Sequence, residues 1–518
     1  MNRKPKQYAI ASCTREATSV GIEIAASGGN AVDAAVGVAY ALIVSNILMC
    51  SIGGGGFATV RTPDGEVETI DFFDAMPGKG LNPQYFQKYA NPQKAYLDYG
   101  VGVEVMLGHS TVGVPGTVKG LELLHKRHGK IPFKEVLQPA IEHARKGIKL
   151  SNTIAYWLSL SSEKLHWYTR TAKKILSTPA GNVLEPGHVL KQPDLANTLE
   201  LIANYGSDVV YKGIIADAIV QEMKNGGGLI TFEDLENYEA IVRKPLYTKY
   251  RSRHIWTNPP PSVGGATLVE ILNIISHLEF KDQLSPQSAV LVGKAIRQAL
   301  FDKYNKYVDI NTNEDVSKEL LSPEYALECY KKIVPCPNTT HLSCVDNSGC
   351  ACGITMSMGY GSGVAVPETG IIMDNSLGEL ELNPQGFLKA EPGTRLMSGM
   401  TPTIMFDDIS EDLVVLGTPG ATRIAPTIAQ IILNLVDFKM DLLTALSSPR
   451  FHYEDKKLSY EPGIEIDKTL LDPETIINPF DDIDMYFGGA QCARFKKGKL
   501  PEAATDRRRS GSAQTLIA

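Results

Sequence analysis

"KKIVPCPNTTHLSCVDNSG", residues 331–349, runs from a proline-broken stretch into a β-patterned one. Pro335, Pro337 and Asn338 disfavour a regular element. "THLSCVD" (340–346) then reads as β-patterned, the first strand of a hairpin. "NSG" (347–349) reads as a turn, and "CACGITMSM" (350–358) as the returning strand of a hairpin. Two readings of the junction follow from the pattern alone. Asn338-Thr339-Thr340 is a turn leading into a strand, or the chain is cut before Thr339 and gains a new N-terminus there.

Working outward, "TPTIMFDD" (401–408) and "EDLVVLG" (411–417) read as further strands, and "APTIAQIILNLVDF" (425–438) as a helix. Toward the N-terminus, "GGNAVDAAVGVAYALIVSN" (28–46) reads as a buried helix with Asn30 as N-cap and Asp33 at N3. "GGGGFATVRTPDGEVETIDFF" (53–73) reads as a hairpin turning at Pro63-Asp64-Gly65. Residues 118–330 look mostly helical, with "GATLVEILNIISHLE" (265–279) the clearest amphipathic helix. No internal repeat or low-complexity linker interrupts the chain, so mixed helices and antiparallel hairpins are expected.

The 518 residues carry a formal net charge of −7, with 43% hydrophobic and 21% charged residues. This is globular composition, and it gives no footprint for nucleic acid. Arg507-Arg508-Arg509 reads as a solvated turn. The eight cysteines are scattered. Cys350 and Cys352 share one strand face but lack metal-ligand spacing, so the set reads as free or buried thiols in a reducing compartment. No metal-ligand cluster is legible and no cofactor is implied. The N-terminus lacks an apolar core of signal-peptide length, and "AAVGVAYALIV" (34–44) is too short to span a bilayer. A cytoplasmic, soluble protein with no membrane partner is expected. Glycine-rich loops occur at 53–56, 113–116, 264–265, 361–363 and 417–420. None continues as a phosphate-binding loop, so tight turns or an oxyanion hole are the uses left.

Eight stretches in order resemble the γ-glutamyltranspeptidase family of N-terminal nucleophile hydrolases. They are "GGNAVDAAV" (28–36), "IGGGGF" (52–57), "VPGTVKG" (114–120), "PPPSVGG" (259–265), "TTHLSCVDNSG" (339–349), "GTRLMSGMTPT" (393–403), "GTPGATRI" (417–424) and "DRRRSGSA" (506–513). The resemblance implies an α+β fold, a four-layer αββα sandwich forming one large domain. It implies a precursor that cuts itself at Asn338-Thr339, into a large subunit of residues 1–338 and a small one of 339–518. Thr339 would be the nucleophile, Ser357 its hydroxyl partner, and the N–H groups of Gly420 and Ala421 the oxyanion hole.

The chemistry fits such a cut. A threonine hydroxyl needs a base, and an α-amino group has a pKa of about 7.7–8.0. Cleavage creates that amine on the residue that bears the hydroxyl. Before the cut, the same hydroxyl would attack the carbonyl of Asn338; Pro335 and Pro337 are candidates to hold that bond under strain. His341 shares a strand face with Thr339, but the amine already supplies the base, so His341 reads as structural.

Head-group recognition departs from the family. Phe73 stands where the family has an arginine that clamps the substrate α-carboxylate, and a phenyl ring cannot replace a guanidinium fork. Arg61 and Arg395 are candidate substitutes. Glu379 replaces an aspartate, Ser376 a glutamine or glutamate, Ser398-Gly399 a serine pair, and Gly359 falls near a family asparagine. The expectation is an amidohydrolase or acyltransferase acting on a small acyl amide with a non-standard head group. The alternatives are a true γ-glutamyl hydrolase or transpeptidase acting on glutathione-like substrates and, in another class, an uncleaved inactive relative that binds or scaffolds.

Overall fold

The computed structural model describes residues 5–82, 84–86, 90–97, 103–280, 284–307, 313–322, 325, 340–379, 382–383 and 386–518. Two antiparallel sheets stack face to face. The first has seven strands, in spatial order Ser512–Ile517, Gln7–Ser12, Thr340–Asp346, Ala351–Ser357, Gly55–Arg61, Val67–Phe72 and Ile241–Arg243. The second has six, in the order Glu502–Thr505, Gln491–Lys496, Asp412–Gly417, Thr403–Asp407, Arg253–Thr257 and Leu246–Tyr250.

Side-chain alternation builds the layers. In Asp412–Gly417, Leu413 and Val415 join Ala9, Val345, Ala351, Ile404 and Ala493 in the core between the sheets. Val414 and Leu416 point the other way, onto the helices Gly264–Ile275, Pro286–Asn305 and Ile424–Val436. Helices Arg15–Ala26, Ala31–Ser45, Thr117–His128 and Phe133–Lys146 cover the outer face of the first sheet. The expected αββα sandwich is what forms.

Ala31–Ser45 is buried along its whole length. Its small residues permit this: a Cβ on Gly37 would lie 2.0 Å from Ile24 Cδ1. Asn30 caps it as expected, its Oδ1 accepting from the N–H of Val32 and Asp33 at 3.0 and 2.9 Å, while Asp33 Oδ2 accepts from Asn30 N at 2.8 Å. Such a capping box contributes about 1 kcal/mol.

The stretch 118–330 is mostly helical as expected, and its strands Ile241–Arg243, Leu246–Tyr250 and Arg253–Thr257 join both sheets. Two expectations need correction. The helix in the 265–279 region spans Gly264–Ile275 and is buried on nearly every side, because it is wedged between a sheet and two helices rather than lying on the surface. The arginine run is not a solvated turn. Arg507 is exposed, but Arg508 is buried and pairs with Glu461 and with Asp506 (Nη1 to Oδ1, 3.0 Å). Charge alone cannot tell a solvated run from one that folds onto buried carboxylates.

Candidate active site

The first described residue after the expected cut is Thr340, and it is held from the helix side of the sheet. Its Oγ1 accepts from Asn46 Nδ2 at 3.2 Å and lies 3.1 Å from Cys13 Sγ. Burial pushes the Cys13 thiol up, with the Thr340 hydrogen bond pulling the other way. Asn338 and Thr339 lie outside the described residues.

His341 faces the opposite side, between the sheets, and is fully buried. Nδ1 is hydrogen-bonded to Thr355 Oγ1 at 2.8 Å and Nε2 to Ser343 Oγ at 2.9 Å. Burial lowers its pKa to about 3, so the ring is neutral. Both nitrogens are occupied by hydroxyls, which fits the structural role read for it. The ring also fixes the end of the Asp412–Gly417 strand, because a Cβ on Gly417 would lie 2.4 Å from His341 Nδ1.

The 418–421 loop leaves from that point. Gly420 has φ +143°, and a Cβ there would come 3.0 Å from Gly488 Cα. Ala421 has φ +62° and is buried. A left-handed alanine costs about 1–2 kcal/mol, which explains why a glycine is the easier residue there.

Ser357 ends the Ala351–Ser357 strand beside Gly55, and its Oγ accepts from Gly359 N at 2.8 Å. Gly359 has φ +62°. A Cβ on it would lie 2.0 Å from Glu379 Oε1 and 2.2 Å from Asn375 Oδ1. Glu379 and Asn375 thus occupy the space that a side chain at 359 would need.

The motif loops interlock around these residues. Gly54 O accepts from Gly116 N and Thr117 N, both at 3.0 Å, which joins "IGGGGF" to "VPGTVKG". Ser398 O accepts from Val263 N at 3.0 Å and from Ser262 Oγ at 3.0 Å, which joins "PPPSVGG" to the Ser398-Gly399 pair. A Cβ on Gly264 would lie 2.2 Å from Gly399 O.

Phe73 does not line an open wall. It is 2% exposed, stacks on Phe57 and packs with Met76, Leu377, Leu396 and Met400. Its carbonyl accepts from Tyr238 Oη at 2.8 Å and from Arg395 Nη1 at 2.7 Å. Arg395 also donates to Glu239 O at 2.6 Å and stands over the Tyr238 ring. Arg61 donates to Gly349 O at 2.9 Å and lies over Phe406. Both arginines are thus engaged with protein partners, Arg395 also with Asp71 Oδ1 at 3.2 Å.

Sequence reasoning missed Asp74 and Asp374, both fully buried behind this region. Ser376 joins them: its Oγ donates to Asp74 Oδ2 at 2.6 Å and its N–H to Asp374 Oδ1 at 2.7 Å. Burial raises both carboxyls above the ordinary range, and in Asp74 the neighbouring Asp374 charge adds to it. The adjacency of residues 73 and 74 to a position three hundred further on leaves no trace in the pattern. Among the described residues, no group of three or more His, Cys, Asp or Glu is placed to hold a metal ion.

The Gamma-glutamyltranspeptidase family model matches residues 17–516. A protein described as a glutathione hydrolase proenzyme, from Escherichia coli (strain K12), is 33% identical over 503 residues, covering 90% of this chain and 85% of that one. One described as an acylase ACY 1 proenzyme, from Pseudomonas sp. (strain SE83), is 31% identical over 468 residues, covering 86% of this chain and 83% of that one. The crystal structure of a cephalosporin acylase from Bacillus halodurans superposes with a TM-score of 0.85 at 26% identity, covering 99% of this chain and 97% of that one. The chain belongs to the gamma-glutamyltranspeptidase family and is a gamma-glutamyltransferase-like N-terminal nucleophile hydrolase.

Proposed function

We propose that this precursor cuts itself between Asn338 and Thr339, giving subunits of residues 1–338 and 339–518, and that Thr339 then hydrolyses a small acyl amide whose head group is not the standard γ-glutamyl one. The observation that carries the specificity is Phe73, packed on Phe57 where the family has its carboxylate-clamping arginine. The relatives described as acylases support the same reading. The cut and the nucleophile are supported by the register. Thr340, the residue after the expected nucleophile, pairs with Met356, the neighbour of Ser357.

In the mature protein the α-amine of Thr339 takes the proton from its own Oγ. Oγ adds to the amide carbonyl, and the N–H groups of Gly420 and Ala421 receive the developing oxyanion. The ammonium returns the proton to the leaving amine as the C–N bond breaks. Water, deprotonated by the same amine, then cleaves the ester, releasing the acid and restoring Thr339. An amine acceptor in place of water gives acyl transfer. The Ser357 hydroxyl hydrogen-bonds the nucleophile through this cycle.

The second reading is a true γ-glutamyl hydrolase. Glu379 favours it, since a carboxylate at that place suits an ammonium, and so does the likeness to proteins described as glutathione hydrolases. Three p-nitroanilides separate the readings: γ-glutamyl, glutaryl and phenylacetyl. The first reading expects phenylacetyl kcat/KM, with no carboxylate to clamp, to exceed the γ-glutamyl value by tenfold or more; the reverse order selects the second. A cytoplasmic location is inferred as well. It fits six described cysteines that are all free and buried, and cell fractionation tests it.

A further inference from the structure

Asp74 and Asp374 are brought together by Ser376, which donates to both. Both are fully buried. Gly113 separates them closely: a Cβ on it would lie 3.0 Å from Asp74 Cβ and 3.4 Å from Asp374 Oδ1. Each carboxyl has one satisfied oxygen. Asp74 Oδ2 accepts from Ser376 Oγ, and Asp374 Oδ1 accepts from Ser376 N and from Gly113 N at 3.0 Å. The other oxygens, Asp74 Oδ1 and Asp374 Oδ2, are buried without a hydrogen-bond partner among the described residues.

Two buried acceptors that face no donor are costly, and two adjacent charges in a dry interior are costlier. A single proton removes both problems. It makes one carboxyl a donor to the other and leaves one negative charge. That charge has a counter-ion at hand in Arg395, whereas Glu379 repels it. Tyr211 and Tyr238 stand nearby, and burial keeps both phenols protonated.

We propose that Asp74 and Asp374 are a positioning pair that shares one proton, and that this proton holds the two halves of the head-group wall together. Asp74 follows Phe73 in the chain, and Asp374 stands two residues before Ser376. The pair is thus the joint between the Phe73 loop and the Ser376–Glu379 turn, which come from opposite ends of the precursor. Loss of the proton leaves two charges that repel, and the joint opens. The inference rests on reading Phe73 and Ser376 as head-group positions, so its test includes a readout that needs no substrate.

Asp374→Asn supplies the missing donor permanently. Asn Oδ1 still accepts from Ser376 N and Gly113 N, and Nδ2 takes the place of the shared proton. The experiment is amide hydrogen exchange of peptides covering 72–77 and 372–378, between pH 6 and 9, corrected for the intrinsic rate. The wild type should lose protection there as pH rises, and Asp374→Asn should keep it. In parallel, on the fastest of the three p-nitroanilides, wild-type KM should climb with pH, by at most about tenfold per pH unit for one linked proton. kcat should climb far less, and Asp374→Asn should flatten the KM profile. Unchanged wild-type protection, or a variant that follows the wild type, overturns the proposal. Protection that behaves as expected with no KM effect also overturns it, since the joint then does not serve the head group. Absence of turnover on all three anilides would instead count against the amidase reading and leave the exchange result to decide this one.

Discussion

The Phe73 ring stacks on Phe57 with centroids 5.7 Å apart and planes 21° from parallel. An aromatic pair of this kind is worth about 0.5–1.5 kcal/mol beyond its buried area. It sits among Leu377, Leu396 and Met400, which border the candidate head-group residues Ser376 and Ser398. Phe73 is thus both a packing residue and the occupant of the clamp position, and substitution tests both roles. Phe73→Arg should lower the melting temperature, because it buries a cation in an apolar cluster. In the protein that folds, the ratio of γ-glutamyl to phenylacetyl kcat/KM should rise, because only the first carries the carboxylate an arginine clamps. Phe73→Leu should leave that ratio near the wild-type value. A ratio unmoved by arginine would mean that the missing clamp does not set specificity.

Ala421 and Gly420 make opposite predictions. Ala421→Gly relieves a left-handed alanine and keeps the N–H, so neither melting temperature nor kcat should fall. Gly420→Ala places a methyl against Gly488 Cα at a backbone angle that favours glycine. A displaced oxyanion donor costs about 10²–10³ in kcat, and a loss of that order is expected. Full activity in Gly420→Ala would remove this loop from the mechanism.

Thr340 tests how the nucleophile is held. Thr340→Val leaves the buried Asn46 amide without this acceptor, at about 1–3 kcal/mol; Thr340→Ser keeps it. Cleavage followed by gel over time should be slowed in the valine variant and near normal in the serine variant. Equal rates in the two would show that the Asn46–Thr340 hydrogen bond does not position the cut.

Acid stability follows from two buried histidines. Burial lowers His341 and His166 to about 3, against about 6.5 when unfolded. Between these values the folded chain binds fewer protons than the unfolded one. Stability is therefore full above about pH 6.5 and lost as pH falls toward 3. Neither ring nitrogen of His166 has a hydrogen-bond partner among the described residues, so His166→Leu should reduce the fall in melting temperature between pH 7 and 4.5. An unchanged fall would place the acid sensitivity elsewhere.

Individual strands were legible as short apolar runs, such as Leu413–Leu416, which is buried on both faces of its sheet; the sandwich itself came from the family resemblance. The capped helix at Asn30 was legible for a local reason as well, since its capping box is four residues long. What stayed hidden is non-local. Gln7–Ser12 pairs with Thr340–Asp346 across more than three hundred residues, and no local pattern announces that. At the site, motif order marked Ser357, Gly420 and Ala421. It could not reveal that Glu379 fills the space beside Gly359, that Arg395 donates to the Phe73 carbonyl, or that Ser376 joins Asp74 to Asp374. Those facts depend on which loops touch, and the loops are joined by backbone hydrogen bonds that carry no sequence signature.

The central claim is that Thr339 becomes an N-terminus and then carries the acyl group. Intact-mass and N-terminal analysis of the purified protein, after a brief incubation with the fastest p-nitroanilide, tests both halves at once. The account predicts two fragments, the smaller beginning at Thr339 and heavier by one acyl group on its first residue, and a Thr339→Ala protein that stays whole and inactive. A single uncut chain that still turns over the anilide, a cut at another bond, or activity in Thr339→Ala would contradict it.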